Sequence, residues 1–284
     1  MVSTILFPSS FFDLHKVDED MQKEYDAALE TGLFRVILFS YDDWFNHGIL
    51  KLSEDPQAEI DAVYRGWMMK PGQYRSFYAE LLKRDICLVT DPDMYTHMHV
   101  FPNVYQELSG DTARILTFPL HAEIDIEKVK QIFPCFIVKD YVKSVKGTEF
   151  PAYFTRNTTQ TEFDRWMEVF YDYRGSLLTG GICIKEFLRL KKYDGMTNEF
   201  RVFYIANRIA SVCRNSLQGF YTPEPPVNLI EKYRDLGSVF YTIDYAELED
   251  GSWKIIEAGD GSVSGLSDKQ DGKTFFRSLY KLLK

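Results

Sequence analysis

Apolar runs and helical stripes alternate along the first third of the chain. Residues 33–40 and 86–90 are short, continuous apolar runs that predict buried strands, and the segment before residue 12 predicts a first strand. Between the two runs, behind Pro71, apolar and aromatic side chains recur at helical spacing: Tyr74, Phe77, Tyr78, Leu81 and Leu82. Strand, helix and strand in this order predict an α/β region with a parallel pair of strands. A loop-rich stretch at 91–130, ending in an acidic helix, is predicted to follow.

The second half of the chain predicts strands that pair mainly in antiparallel fashion. In chain order we predict a strand at 132–139, a helix behind the capping sequence 159–162, a strand at 182–190, hairpins at 199–214 and 239–258, and a helix at 268–283. The class is therefore α/β in the broad sense, of the α+β type. We place a domain boundary near residue 125, so that 1–125 forms one region and 126–284 the other.

The hairpin at 239–258 places two acidic residues face to face. Asp250-Gly251 is the favoured two-residue type I′ turn, and with this turn the numbers of paired residues sum to 501. Asp244 then lies opposite Glu257. Pairs of Ala246 with Ile255 and of Leu248 with Trp253 would make the same face apolar, so that both carboxylates point inward.

Opposed like charges are unfavourable in a sheet, by about 0.2–1 kcal/mol even where water screens them. A shared proton or a bound divalent cation would compensate the repulsion. Asp260 follows Glu257 by three residues and offers a further oxygen ligand. Oxygen ligands without His or Cys favour Mg²⁺, with Mn²⁺ as the alternative, over zinc. The other interpretation is that a bulge turns one carboxylate towards solvent.

The hairpin at 199–214 repeats this pattern with the opposite sign. With Asn207-Arg208 as its turn, Arg201 lies opposite Arg214 at the end of an apolar face. Two guanidinium groups require an anion, which a carboxylate such as Glu199 or a bound phosphate would supply. The alternative is that both arginines are solvated.

A lysine ends the predicted strand at 132–139. Lys139 would share one face with Cys135 and Ile137, and Lys143 follows in the next loop. A surface lysine is common, but lysine, paired arginines and three carboxylates near strand ends form a set that can grip a nucleoside triphosphate with Mg²⁺.

Composition and charge exclude several classes of protein. The 284 residues include 33 Lys and Arg against 42 Asp and Glu, a net charge of −9, so we predict no broad nucleic-acid surface. No stretch has the roughly 20 apolar residues that span a membrane, and the start lacks the basic region of a signal peptide. We therefore predict a cytoplasmic protein. The four cysteines form no CxxC pair and predict buried thiols, not a zinc site.

In this order the motifs resemble the ATP-grasp superfamily, and most of all the clade named for two arginines and one lysine. The matching stretches are 64–84, 137–144, 180–190, 198–215 and the run from the hairpin at 239–258 to Leu266. The resemblance implies an N-terminal α/β substrate region over 1–125. It also implies that antiparallel subdomains over 126–284 sandwich ATP.

The resemblance also implies roles for individual residues. Lys139 would approach the phosphates, with Lys143 close behind it, and Glu186-Phe187-Leu188 would be the hinge that contacts adenine through its backbone and the Glu186 carboxylate. Arg201 and Arg214 would hold the phosphates or an acyl-phosphate.

For the metal, the resemblance implies that Asp244 and Glu257 bind Mg²⁺. Many members have Glu-x-Asn on the second metal-binding strand, whereas this chain has Gly259 at the Asn position. Asp260, one residue later, is the candidate substitute.

The function implied is an ATP-dependent carboxylate–amine ligase that forms an acyl-phosphate and then an amide from a small-molecule or peptide carboxylate and an amine. Two alternatives remain open: a Mg²⁺-dependent phosphoryl-transfer enzyme or nuclease, and a non-catalytic ATP-binding module, which the missing asparagine favours. The loop 259–265, with Ser262 and Ser264, would line the acceptor site or form a simple turn. Arg65, Trp67 and Lys70 would bind the second substrate or form the turn before the helix.

Overall fold

A computed structural model of the chain describes residues 2–145, 147–219 and 221–284, and its N-terminal part is the predicted α/β region. The elements are β1 (Thr4–Pro8), α1 (Gln22–Glu30), β2 (Arg35–Phe39), α2 (Tyr41–His47), β3 (Ile60–Tyr64), α3 (Pro71–Leu82) and β4 (Ile86–Leu88). The strands form one parallel sheet in the order β2-β1-β3-β4. The runs at 33–40 and 86–90 thus share a parallel sheet, but they are not neighbours, because β1 and β3 lie between them.

The stretch predicted to be loop-rich is largely helical. It contains α4 (Pro92–His99) and α5 (Phe101–Leu108), and its acidic end forms α6 (Ile126–Ile132) as predicted. Pro92 and Pro102 stand in the first turn of their helices, where a missing N–H is tolerated, so they do not break the structure. The Asp91 carboxylate caps α4 by accepting from the backbone N–H groups of residues 93 and 94.

The second sheet surrounds the predicted strands at 132–139 and 182–190. Its elements are β5 (Ile115–Phe118), β6 (Cys135–Asp140), β7 (Phe154–Thr155), α7 (Gln160–Arg174) and β8 (Ile182–Glu186). The order is β5-β8-β6-β7, with all pairs antiparallel. Thr159 caps α7 by accepting from the backbone N–H of Glu162, as the capping sequence predicts. Strand β5 precedes residue 125 yet belongs to this sheet, and the exact domain boundary stays a prediction.

The third sheet contains both predicted hairpins. Its part of the chain comprises β9 (Lys192–Tyr193), β10 (Met196–Thr197), β11 (Glu199–Ile205), β12 (Arg208–Arg214), α8 (Val227–Lys232), β13 (Phe240–Glu247), β14 (Trp253–Asp260) and α9 (Gly272–Leu282). Strands β9 and β10 form a small separate hairpin, and the sheet itself has the antiparallel order β12-β11-β13-β14.

The hairpin β13–β14 pairs Asp244 with Glu257, as predicted, but its turn and the pairing next to the turn differ from the prediction. The loop is one residue longer than Asp250-Gly251, because the backbone N–H of Leu248 donates to the carbonyl of Ser252. A β-bulge at Ile256 then shifts the register back by one residue. The predicted pairs of Ala246 with Ile255 and of Leu248 with Trp253 are wrong: Ala246 lies opposite Lys254.

In the hairpin β11–β12 the predicted register is wrong. Its turn is Ala206-Asn207, and both residues have positive φ, of 47° and 60°, as a type I′ turn requires. A bulge also shifts the register between Phe203 and Tyr204. Arg201 therefore lies opposite Cys213, and Arg214 lies opposite Phe200. By strand alternation the two arginines leave opposite faces of the sheet.

Helix α9 joins the parallel sheet to the third sheet. Its Phe275, Phe276 and Leu279 are buried in one cluster with side chains from both sheets: Ile5, Phe7, Leu38, Val63, Phe203, Ile205 and Phe240. The opposite face of the third sheet packs on α4 and α5. Among the residues that the structure describes, no helix has the length and apolar character needed to cross a bilayer.

We expect Phe275→Ala to lower the free energy of unfolding by about 3–5 kcal/mol, because the substitution leaves a cavity where three elements meet. Urea denaturation followed by circular dichroism measures the change. Phe12→Ala is the matched control: Phe12 is 93% exposed, and we expect a change below about 0.5 kcal/mol. Equal effects of the two substitutions would contradict the bridging role of α9.

Candidate functional site

Two buried lysines lie side by side on the second sheet. On β6 and β8, alternate residues such as Phe136 and Ile184 face the helices α6 and α7, so Lys139 and Lys185 project from the other face. They are only 5% and 4% exposed. The ring of Phe101 lies 5.4 Å from Nζ of Lys139 and 4.3 Å from Nζ of Lys185, and its face stabilises both cations.

Both lysines reach strand β14 of the third sheet. Nζ of Lys139 donates to Oε1 of Glu257 at 3.1 Å, and Nζ of Lys185 donates to the carbonyl of Ile256 at 2.6 Å. Ile256 is the bulged residue. The bulge therefore has two effects: it gives Lys185 an acceptor, and it turns Glu257 towards Asp244.

Asp244 is paired with Arg201. Arg201 donates from Nε to Oδ1 at 2.8 Å and from Nη2 to Oδ2 at 2.7 Å, a bidentate pair between neighbouring strands. The opposed carboxylates are thus balanced within the protein, Glu257 by Lys139 and Asp244 by Arg201. A shared proton and a bound cation were the two expected ways to balance them, and the structure shows a third, because compensating cations come from strands outside the hairpin.

Burial and neighbouring charges fix the protonation states in this cleft. Burial would raise the pKa of Glu257, but Lys139, Lys143 and Lys185 lower it to about 2. Burial together with Lys139 lowers the pKa of Lys185 to about 8, and burial together with Lys143 lowers that of His99 to about 3. At neutral pH Glu257 is therefore ionised and Lys185 is still mainly protonated.

Arg214 is directed away from this group. Its Nη2 donates to the carbonyl of Thr222 and to Oε1 of Glu224, both at 3.1 Å, and its guanidinium lies 4.9 Å from the ring centre of Phe200. Arg201 and Arg214 nevertheless border one cavity of about 120 Å³, together with Asp244. The two arginines therefore approach one space from opposite faces of the sheet.

Asp260 does not join the carboxylate pair. By strand alternation it leaves the face of β14 opposite Glu257, and its Oδ1 accepts from the backbone N–H of Ser262 at 2.8 Å. Its carboxylate is fully buried, Oδ2 has no hydrogen-bond partner in the described part of the chain, and burial raises its pKa to about 7. The role of Asp260 as a metal ligand stays a prediction, and this arrangement does not support it.

The donor set fits Mg²⁺ with two protein ligands. Within residues 2–145, 147–219 and 221–284, no group of three or more His, Cys, Asp or Glu side chains is placed to hold a metal. Asp244 and Glu257 still present hard, anionic oxygens from paired strands, and Mg²⁺ commonly takes one or two carboxylates plus substrate phosphates and water.

Hydroxyl groups occupy the space beside Gly259, where asparagine was expected. Gly259 is on the same face of β14 as Glu257, and a Cβ at this position would lie 3.5 Å from Oγ of Ser264 and 3.7 Å from Oγ1 of Thr242. These two hydroxyl oxygens are 2.8 Å apart. A Thr–Ser pair therefore provides the polar groups next to the carboxylates.

The predicted hinge residues line a groove at the edge of the second sheet. Glu186, Phe187 and Leu188 border a cavity of about 1010 Å³, and the ring of Tyr153 lies 4.8 Å from that of Phe187. Glu186 already accepts two hydrogen bonds from Arg114, at 3.0 and 2.8 Å. The backbone of the hinge is therefore a better candidate than this carboxylate for contacting a base.

A buried arginine holds the loop that follows β14. Arg65 is 2% exposed, makes a bidentate pair with Glu24 of α1, and donates to the carbonyl of Gly261. Oε1 of Glu24 also accepts from the backbone N–H of Leu266 at 3.1 Å, and Arg201 donates to the carbonyl of Gly265 at 3.0 Å. The guanidinium of Arg65 is fully engaged, so it positions this loop and does not itself reach a substrate.

The sequence reasoning missed Lys185 and Glu24. The sequence does contain a signal for Lys185, because a lysine inside the apolar run 182–188 is unusual. Lys185 is on the same face of its strand as Cys183, and Cys183 is the residue paired with Lys139. Glu24 gives no such signal, because it lies on a charged surface helix and its partner is 41 residues away. Trp67 borders the same cavity as the loop after β14, whereas Lys70 precedes the first turn of α3.

Comparison with known proteins identifies a domain family and several similar folds. Residues 130–279, just over half of the chain, match the ATP-grasp domain of family 3 in the clade named for two arginines and one lysine. D-cycloserine synthetase DcsG has a TM-score of 0.64 and 13% identity, with 99% of this chain and 100% of that chain covered. D-alanyl-alanine synthetase A from Vibrio cholerae has a TM-score of 0.60, 12% identity, and 99% and 98% coverage.

The ATP-grasp ligase PsnB, complexed with minimal precursor, has a TM-score of 0.59, 11% identity and 99% coverage of both chains. At these identities the likeness concerns the fold alone. No curated protein matches the sequence.

We expect Asp260→Asn to remove a pH dependence of stability. The unfolded chain loses the Asp260 proton near pH 3.8, and the folded protein keeps it until about pH 7, so rising pH lowers wild-type stability between these values. The loss amounts to roughly 4 kcal/mol at most. Asparagine keeps the acceptor for Ser262 without the charge, so the variant should be the more stable protein above pH 7.

Urea denaturation at pH 5, 6, 7 and 8 measures this difference. Asp235→Asn, at an exposed position, is the control and should run parallel to the wild type. Parallel curves for Asp260→Asn would contradict the assignment of a buried, protonated carboxyl group.

Proposed function

Because the chain belongs to family 3 of the ATP-grasp clade named for two arginines and one lysine, and so to the ATP-dependent ligases, we propose that it joins a carboxylate to an amine and releases ADP and phosphate. The observation that carries this proposal is the cleft between the second and third sheets. There, two opposed carboxylates and the cations that contact this strand pair, Lys139, Lys185 and Arg201, offer what a metal-bound triphosphate requires.

The triphosphate is proposed to lie along the lysines. Lys139, Lys143 and Lys185 bind phosphate oxygens, and the backbone of the hinge, Glu186 to Leu188, contacts adenine in the groove beside Tyr153. Arg201 and Arg214 hold the transferred phosphoryl group from the small cavity that they share. A phosphate near Lys139 takes over the hydrogen bond that this lysine now gives to Glu257.

The same exchange frees Glu257 for a metal ion. Asp244 and Glu257 are the proposed ligands of Mg²⁺, with Mn²⁺ as the alternative, and the hydroxyls of Thr242 and Ser264 lie next to them. Bound there, Mg²⁺ would neutralise phosphate charge and orient the phosphates. The protein contributes mainly position and charge, which is the usual division of labour in phosphoryl transfer.

The proposed reaction has two steps. A substrate carboxylate attacks the γ-phosphorus of ATP, the bond to the bridging oxygen breaks, and ADP leaves, so that an acyl-phosphate forms. The amine substrate first loses a proton from its ammonium form. The neutral amine then attacks the acyl carbon and displaces phosphate, giving the amide. The nitrogen loses a second proton in this step, and the departing phosphate takes up one of the two protons. No redox partner is needed.

Two cavities are proposed to receive the substrates. The carboxylate enters the arginine-lined cavity, and the amine enters a larger cavity of about 590 Å³ beside the loop that follows β14. One similar fold, PsnB, was solved with a precursor peptide, which supports a peptide or small-molecule carboxylate for this chain. The substrate-binding role of residues 1–125 and the cytoplasmic location belong to the same proposal.

The alternatives predict other products. A phosphoryl-transfer enzyme would modify its acceptor without forming an amide, a nuclease would cleave nucleic acid, and a non-catalytic module would bind ATP without turnover. No contact in the described residues favours any of them over ligation. Product analysis by mass spectrometry, with and without a carboxylate and an amine, separates them.

We expect Glu257→Gln to lower kcat/KM for amide formation at least 100-fold, because glutamine cannot supply the anionic metal ligand. ADP release in a coupled assay over a panel of carboxylates and amines measures the effect, and circular dichroism checks the fold. Glu127→Gln is the control, since Glu127 is exposed on α6. Ligation that persists at wild-type rate in Glu257→Gln would overturn the proposed role.

We expect the affinity for a non-hydrolysable ATP analogue to fall as pH rises above about 8, where Lys185 loses its proton. Arginine stays charged, so Lys185→Arg should flatten this pH dependence, and Lys185→Met should weaken binding at least tenfold at pH 7. Isothermal titration calorimetry measures the dissociation constants. Lys128→Met, at a lysine 80% exposed, is the control. A flat wild-type profile between pH 7 and 9.5 would refute the role of Lys185.

A further inference from the structure

The larger cavity adjoins the proposed carboxylate site along one stretch of chain. It holds about 590 Å³ between α1 and residues 262–273, and Trp67 lies on its wall. Gly265, Leu266 and Ser267 line both this cavity and the smaller one that contains Arg201, Arg214 and Asp244. Groups bound in the two cavities therefore approach each other across these three residues.

The two cavities differ in charge. Six carboxylates and three cationic groups line the larger one: Asp20, Glu24, Asp26, Glu30, Asp268, Asp271, Lys23, Arg65 and Lys273. The three cations are paired with Glu24, Glu30 and Asp268. Among the residues that the structure describes, Asp20, Asp26 and Asp271 take part in no ion pair. The larger cavity thus has three negative charges in excess, whereas in the smaller one two arginines face two carboxylates, Glu199 and Asp244, and the charges balance.

A second observation points to a ligand at the same place. Ser262 lines the larger cavity and is 1% exposed, and its hydroxyl lies beside the Asp260 carboxyl group but forms no well-aligned hydrogen bond with it or with another described residue. The neighbouring groups are already engaged: the Ser262 carbonyl accepts from Gly66, and its N–H donates to Asp260. A buried hydroxyl without a partner is unfavourable, so a polar group of a bound molecule that pairs with it gains affinity.

We propose that this cavity selects an acceptor amine that carries a second cationic group, such as a short aliphatic diamine or an amino acid or peptide end with a basic side chain. The inference rests on the proposed ligase function and specifies its substrate class. The reacting amine lies towards Gly265 and the Ser262 hydroxyl. The second ammonium group lies towards the carboxylates of Asp20 and Asp26, and the alkyl chain packs between them on apolar side chains that include Trp67 and Leu266.

The charge of the larger cavity thus distinguishes the amine from the carboxylate before they react. A cation is attracted beside α1 and a carboxylate is repelled there, so the carboxylate competes poorly for the amine's cavity. The chemical step is the displacement described above, in which the new C–N bond forms as the bond from the acyl carbon to the phosphate oxygen breaks.

The test compares two amines that differ by one charge. Isothermal titration calorimetry of the full chain with pentane-1,5-diamine and with pentylamine, at 20 and 300 mM NaCl, measures the preference directly. We expect the diamine to bind at least tenfold more tightly at low salt and the preference to shrink at high salt. Equal affinities for the two amines at low salt would overturn the inference.

Variants locate the preference. In the double variant Asp20→Asn and Asp26→Asn we expect the ratio of the two affinities to fall to about one. A double variant with the same net charge, Asp172→Asn and Asp235→Asn, removes exposed carboxylates outside the cavity and should keep the wild-type ratio. The same ratio in both double variants would overturn the placement of the second cation.

Ser262→Ala tests the other end of the acceptor. We expect both amines to bind three- to tenfold more weakly while their ratio stays at the wild-type value, because the hydroxyl contacts the group that they share. Unchanged affinity of both amines would overturn the contact with Ser262.

The failure of this inference is distinguishable from failure of the ligase proposal. ADP release with neutral amines but without a diamine preference would reject the inference and keep the ligase. Binding that prefers the diamine, without ADP release for any amine, would keep the cavity assignment and reject ligation.

Discussion

The arrangement of the strands around the cleft depends on the balance between its two carboxylates and the cations that pair with them. Asp244 and Glu257 face each other across a strand pair, and each is stable there because a cation from another strand reaches it. Lys139 comes from the second sheet and Arg201 from the neighbouring strand of the third. The pair of Lys139 with Glu257 therefore also links the second sheet to the third, whereas the pair of Arg201 with Asp244 lies within the third. Under the proposed function, a triphosphate and a metal ion replace these same contacts.

Local patterns were sufficient to predict the hairpin that carries the carboxylates, although its geometry differs from the one they indicate. The Asp-Gly turn and the apolar alternation predicted the pair Asp244–Glu257, which the structure contains. The turn is one residue longer than predicted, which shifts the strand pairing by one residue. The bulge at Ile256 shifts the pairing back by one residue, so the two deviations cancel. A bulge has no strong signature in the residues themselves. The same kind of deviation in the hairpin β11–β12 does not cancel, and it separates Arg201 from Arg214.

What the sequence could not supply are the contacts between distant elements. Strands, helices and both hairpins follow from periodicity and capping residues, and so does the class of fold. The pairing of Glu24 with Arg65, or of Lys185 with the Ile256 carbonyl, depends on how sheets and helices are placed in three dimensions. The helices α4 and α5 lie in the stretch predicted to be loop-rich, and their prolines stand in the first helical turn, where proline is permitted. Asp260 was predicted as a metal ligand from its spacing and as the substitute for the missing asparagine, whereas strand alternation directs it to the face of β14 opposite Glu257.

Helix α9 is the last element in the chain order, yet the first sheet depends on it. Until α9 has docked, the apolar side chains of Phe7, Leu38 and Val63 lack the part of their cover that Phe275, Phe276 and Leu279 provide. A nascent chain that ends before residue 272 would thus expose hydrophobic surface of the kind that chaperones bind, although all of its strands have been synthesised.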